Sequence, residues 1–276
     1  LSENNLFSMM RDHLFVISCF GDGELERLIS YADKNYHLYK KGLSCNQEDN
    51  DSRITHIDNV GYNIYSYMKF IIDNYDTLPE FTVFCKNNVF PRHVSQDVFI
   101  EQSSRKVFTC IEDPSMWKLK YPNTMLSSDN GFMELNTSWY TSYHPTKYFS
   151  NFNEFYKFAF DHDTLPRYLR FAPGGNYVVP KEHILLRSKS FYQNLMNFVA
   201  HHQFSGESHI IERALYIIWN STIQESSKMS GLLNDKDLLE LERNSQNNIN
   251  FIRKIKIKIY INFIYMINLL TRKLFD

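Results

Sequence analysis

The chain has 276 residues, 43% of them apolar and 16% aromatic, with 30 Lys+Arg against 31 Asp+Glu and a net charge of −1. Those figures exclude a disordered chain, a fibrous repeat and a strongly basic nucleic-acid binder. The length suits one large domain or two small ones, and either can bury a core. Cys19, Cys45, Cys85 and Cys110 form no C-x-x-C and are too few for a disulfide framework, which points to a reducing cytoplasm. No basic cluster followed by an apolar core opens the sequence. No run of about eighteen apolar residues marks a transmembrane helix.

In chain order, His13 to Phe20 (HLFVISCF) is a continuous apolar run that predicts a buried strand, broken by Gly21-Asp22-Gly23. Glu24 to Asp33 reads as a helix, with Leu25, Leu28 and Ile29 on one face. Tyr36 to Lys40 and Ile54 to Ile57 read as strands around a polar loop. Ile64, Met68, Ile71, Ile72 and Tyr75 follow helical spacing up to Asp76-Thr77-Leu78-Pro79. Phe81 to Cys85 is a further buried strand. Strands alternating with helices predict a parallel α/β sheet. Residues 89–150 predict an irregular or α+β region. Helices follow at Asn151 to Phe160, Lys181 to Leu186, Ser190 to His202 and Glu207 to Thr222. A turn at Pro173-Gly174-Gly175-Asn176 precedes a short strand, Tyr177 to Val179.

In an open α/β sheet, ligands bind at the carboxyl ends of the strands. Cys19–Asp22, Asp58–Gly61 and Lys86–Asn88 are such ends; they are either turns or parts of a site. No G-x-G-x-x-G, G-x-x-x-x-G-K-[ST], G-x-S-x-G or H-E-x-x-H occurs, which disfavours a dinucleotide fold, a P-loop, an α/β-hydrolase and a zincin. His201, His202 and His209 do not have zinc-site spacing. Asp-x-Asp pairs can bind a divalent ion that bridges a diphosphate, because carboxylates are hard oxygen ligands. Of the three pairs, Asp49/Asp51 and Asp235/Asp237 read as surface, and Asp161/Asp163 is a weak metal candidate. Trp139, Tyr140 and His144 form an aromatic–polar cluster, either a sugar-stacking platform or ordinary core.

Ile54 to Phe90 carries Asn59-Val60-Gly61 after a strand, then a helix, Tyr75-Asp76-Thr77-Leu78-Pro79, and a strand with a polar loop to Phe90. Leu38 to Gly42 precedes it. Gly174 to Ile184, Ser190-Phe191-Tyr192 and Glu207 to Trp219 follow in order. Together these segments resemble a family called domain of unknown function 3431, which looks like a glycosyltransferase group. They span residues 14–220. The arrangement also resembles the A-type nucleotide-sugar glycosyltransferases. That resemblance implies a single Rossmann-like mixed α/β sheet flanked by helices over residues 1–245, with an amphipathic helical tail at 246–276.

The same resemblance implies donor contacts at Phe20, Asn59, Gly61, Lys86, Asn87, Asn88 and Arg92. The aromatic–polar cluster of Trp139, Tyr140 and His144, with Gly175 and Asn176, supplies the candidate acceptor or sugar contacts. Glu212, or else Glu207, would be the general base; the alternative for Glu212 is a surface ion pair with Arg213. The sequence departs from the A-type pattern where Lys86-Asn87-Asn88 stands in the place of the metal-binding Asp-x-Asp. The cofactor is therefore a nucleotide-sugar with either Mn or Mg, or with direct charge from Lys86 and Arg92 in place of the metal.

In the tail, Ile252, Ile255, Ile259, Phe263, Met266 and Leu270 share a helical face, and Arg253, Lys254, Lys256 and Lys258 lie mostly elsewhere. A basic amphipathic helix suits an anionic membrane surface, or else packs on the domain or on a partner. The expectation is a cytoplasmic glycosyltransferase, peripheral to the inner membrane face. It would move a sugar from a nucleotide donor, a UDP-sugar by analogy, to a surface glycan such as capsule or lipooligosaccharide. The acceptor would be a glycan or lipid-linked. The alternatives are a transferase of another nucleotide-activated group and a non-catalytic scaffold.

Overall fold

The computed structural model describes residues 12–21, 24–42, 51–116, 125–128, 131–141 and 143–248. The strands are β1 His13–Cys19, β2 Tyr36–Lys41, β3 Ile54–Ile57, β4 Phe81–Lys86, β5 Thr109–Cys110, β6 Met125–Ser128, β7 Gly131–Leu135, β8 Tyr168–Phe171 and β9 Tyr177–Pro180. The helices are α1 Leu25–Ala32, α2 Tyr62–Asn74, α3 Gln96–Ser103, α4 Phe152–Ala159, α5 Lys181–Ile184, α6 Lys189–Val199 and α7 Gly206–Asn220. A further helix, α8, covers 235–248. The basic tail beyond it lies outside the described residues. Among the described residues no helix is long and apolar enough to cross a membrane.

The central sheet has six strands in the order β3-β2-β1-β4-β9-β5. β3, β2, β1 and β4 run parallel, and β9 runs antiparallel to both β4 and β5. The sheet is therefore mixed α/β, with four parallel strands where alternation of helices and strands predicted a parallel sheet. β9 enters from the turn at 173–176 rather than from a crossover helix, so it runs the other way. A short apolar run has the same pattern in either direction. A second sheet, β6-β7-β8, lies within and beyond the region expected to be irregular.

Period-two side-chain alternation splits the central strands between two cores. Phe15 and Ile17 of β1, Val83 and Cys85 of β4, and Val178 of β9 pack with Leu28 of α1 and Phe99 of α3. Val16, Phe84, Tyr177 and Val179 face the other way, towards α2, α6 and α7. There Phe84 stacks on the fully buried Trp219 with centroids 5.1 Å apart. Continuous apolar strands are what a sheet covered on both faces requires. Side-chain oxygens of Asn151, Ser188 and Ser205 cap α4, α6 and α7.

The register brings the strand ends together. Cys19 is opposite Lys40, Ser18 is opposite Lys86, and Lys41 is opposite Ile57. Between β3 and α2 the chain turns through Gly61 in the left-handed region, with φ of 62°. A Cβ there would come within 2.7 Å of the Val199 side chain on α6. Gly61 thus supports the cleft from below. Gly61→Ala is expected to lower stability by about 1–3 kcal/mol in urea unfolding, through left-handed strain and overpacking.

Candidate functional site

The ends of β1, β2, β3 and β4 open into a cleft with two adjoining cavities. The first, about 280 Å³, is lined by Ser18, Phe20, Lys41, Asn59, Tyr62, Asn63, Lys86, Asn87, Asn88, Arg92, Gln203 and Phe204. The second, about 300 Å³, shares Tyr62, Asn63, Lys86 and Arg92 with it. It adds His93, Trp139, Tyr140, Tyr143, His144, Phe171, Pro173, Gly174, Ser208, His209, Glu212 and Arg213. The crevice sits where strand order reverses, with β1 between β2 and β4, the usual place for ligands in such sheets.

Several predicted residues hold the walls rather than face a ligand. The Asn87 side chain is buried; it accepts from the Phe20 N–H at 3.4 Å and donates to the Gly21 carbonyl at 3.1 Å, pinning the loop after β1. Asn176, also buried, accepts from the Lys86 N–H and donates to the Pro173 carbonyl. It thereby ties β4 to the 173–176 turn. Gly175, at φ of 66°, leaves room for the Asn63 amide, which donates to the Gly174 carbonyl. Asn59 and Asn88 line the first cavity directly, and the Asn88 side-chain oxygen is buried without a hydrogen-bond partner.

The cations of the first cavity set its electrostatics. Lys41 is 7% exposed, and its ammonium donates to the Val60 carbonyl at 2.5 Å and to the Tyr62 carbonyl. Burial pushes Lys41 down to about 7. Lys86 is pushed down to about 8 by burial, with Glu212 acting in the opposite direction. No described Asp or Glu lines this cavity. The first N–H groups of α2 are already occupied, Gly61 by the His202 carbonyl and Tyr62 by the Gln203 carbonyl. Side chains supply the positive charge of this cavity.

In the second cavity Glu212 and Arg213 are paired. Glu212 on α7 sits 3.9 Å from Arg213, with its side chain 17% exposed. Arg213 bonds the buried Glu134 of β7 and lies over the Tyr140 ring at 3.7 Å. Tyr140 is therefore mostly a packing surface for the guanidinium, whereas Trp139 and Tyr143 are exposed at the rim. The His144 and His209 rings are in contact, tilted by 36° with centroids 4.2 Å apart.

Glu207 lies elsewhere. Its carboxylate is fully buried and accepts from the N–H groups of Lys147, Tyr148 and Phe149 and from His201, at 2.6 to 3.2 Å. It holds the 145–150 segment onto the start of α7 and does not line either cavity, so of the two acids named as a base only Glu212 is in the cleft. Asp161 and Asp163 are exposed, and Asp161 lines a separate groove beside α4 and α8. Among the described residues no group of three His, Cys, Asp or Glu side chains could hold a metal.

Sequence reasoning gave no site role to Lys41, Tyr62, Asn63, His93 or Arg213, and weighed His209 only as a zinc ligand. Lys41 lay within a noted segment, Leu38 to Gly42, and Arg213 is next to Glu212, but nothing in their spacing showed that they face one cleft.

A mixed α/β domain with a two-part, partly cationic cleft at its parallel strand ends is the class that fold and site define. The chain belongs to the family described as a protein of unknown function, DUF3431, whose match covers residues 29–231. No curated protein and no solved structure matches it.

Two outcomes follow. Glu207→Gln should cost about 3 kcal/mol or more in urea unfolding, because a buried carboxylate loses its charge-assisted bonds. Glu212→Gln should stay within about 0.5 kcal/mol of the parent. Burial, with the positive charges of Lys86 and Arg92, pushes His93 down to about 3. The unfolded chain binds the extra proton first, so stability should fall as pH drops from about 6.5 towards 3, by at most about 1.4 kcal/mol per unit from this residue, and His209, which burial also pushes down to about 3, adds a like share. Urea melts at several pH values should show that slope, and His93→Gln should make it shallower without abolishing it.

Proposed function

We propose that this protein is a glycosyltransferase that moves a sugar from a nucleotide-sugar, by analogy a UDP-sugar, to a surface glycan. The observation that carries the reading is the pairing of the cavities. A cavity lined by Lys41, Lys86 and Arg92 adjoins one in which Glu212 is the only described carboxylate. The donor diphosphate belongs in the first and the acceptor hydroxyl in the second, with the sugar at the shared wall of Lys86 and Arg92. The order of the four parallel strands and the ordered family motifs support an A-type arrangement.

The chemistry is a single displacement. The acceptor oxygen bonds to the anomeric carbon as the bond from that carbon to the phosphate oxygen breaks. Glu212 takes the hydroxyl proton, and the nucleoside diphosphate leaves with the electron pair. Lys86 and Arg92 stabilise the charge that develops on the leaving group. A single carboxylate in the cleft favours this over a double displacement, which needs a nucleophile as well. The exposed rings of Trp139 and Tyr143 suit the C–H faces of a glycan. The basic amphipathic pattern of the tail supports an acceptor at an anionic membrane surface, on the inner face of the cell membrane.

Thermal-shift screening against UDP, GDP, CMP, ADP and dTDP tests the donor site, since a ligand that binds only the folded state raises the midpoint. One nucleotide class is expected to raise it. Glu212→Gln should keep that shift and lose about 10²- to 10⁴-fold in turnover of the matching nucleotide-sugar. No shift with any nucleotide and no turnover would overturn the proposal in favour of a non-catalytic scaffold.

A further inference from the structure

We propose that Lys41, Lys86 and Arg92 form a metal-free grip for a diphosphate, in which the bound anion is the counter-ion that these three cations lack. The inference rests on the transferase reading for its ligand class, and on the geometry of the first cavity for its mode of binding.

Lys41 carries the argument. It is more than nine-tenths buried, and its ammonium is held by two carbonyls, those of Val60 and Tyr62. Carbonyls orient an ammonium but carry no net charge, so the charge stays uncompensated. Keeping such a charge inside a protein is costly unless something neutralises it. Two of the three ammonium donors are used, which leaves one for a ligand. No salt bridge joins Lys41, Lys86 or Arg92 to a described carboxylate; Glu212, which lines the second cavity together with Lys86 and Arg92, acts on Lys86 without forming an ion pair with it.

The donor set does not suit a divalent ion. The segment after β4, where a metal-binding Asp-x-Asp would stand, is Lys86-Asn87-Asn88, and Asn87 spends its side chain on the loop after β1. Asp161 and Asp163 are exposed and outside the cleft. A dication placed among three cations is repelled by each of them. Mg²⁺ also lowers the negative charge of the diphosphate that it chelates. Magnesium should therefore weaken binding at this site, where a metal-bridged site would require it.

Isothermal titration of inorganic pyrophosphate into the full chain tests this, once in EDTA and once in Mg²⁺. Pyrophosphate should bind in EDTA and bind more weakly in Mg²⁺. Lys41→Met, Lys86→Ala and Arg92→Ala should each weaken the EDTA binding by at least about tenfold. Lys41→Met also frees two carbonyls and can disturb folding, so the exposed Arg92→Ala, checked by an unchanged melt, keeps the test decisive. Binding that needs Mg²⁺, binding indifferent to all three substitutions, or no binding in either condition would overturn the grip. Metal-free pyrophosphate binding without turnover of any nucleotide-sugar would leave the grip standing and remove the transferase reading. Turnover together with Mg²⁺-dependent pyrophosphate binding would do the reverse.

Discussion

Four neighbouring strands that run the same way place all their carboxyl ends along one edge of a sheet. Here that edge is formed by the ends of β1, β2, β3 and β4, whose registers set Ser18 opposite Lys86 and Tyr39, with Lys41 two residues further on and opposite Ile57, just before the 58–61 loop. Because helices cover both faces, polar groups at those ends have nowhere to go but the cleft. The site is thus a consequence of strand direction, and each feature of it depends on the sheet being packed on both sides.

The rest of the molecule steadies that edge through buried polar contacts. Asn176 ties the last residue of β4 to the turn before β9, Asn63 ties α2 to the same turn, and Asn87 ties β4 to the loop after β1. On the far side, Glu134 of the small sheet fixes Arg213, and Arg213 lies beside Glu212. Glu207 fastens the segment carrying His144 to the start of α7 through three backbone N–H groups. These partners are polar groups satisfied inside the protein, and such bonds hold positions more tightly than apolar packing alone. Two acids five residues apart on one helix thus have different tasks. Glu207 is consumed by structure, and Glu212 is left facing a cavity.

Much of the architecture was legible in the sequence. The boundaries expected for β1 to β4 and for α1, α2, α4 and α7 lie within about two residues of those observed, since continuous apolar strands and helical periodicity are local signals. The family resemblance was legible as well, because ordered motifs survive in linear order, and the match over residues 29–231 agrees with it. β8 and the second sheet were not legible. Tyr168 to Phe171 is short, and its partner β7 lies more than thirty residues earlier.

The sequence by itself determined the alternation of strands and helices, the polar strand ends, the missing carboxylate after β4 and the family. It did so because each of these is a property of neighbouring residues. Only the tertiary structure decided that β9 runs antiparallel, that Lys41 joins Lys86 and Arg92 in one cavity, and that Glu212 rather than Glu207 faces the cleft. Those outcomes depend on residues far apart in the sequence, and it is packing across the sheet, with its buried charges and hydrogen bonds, that brings them together.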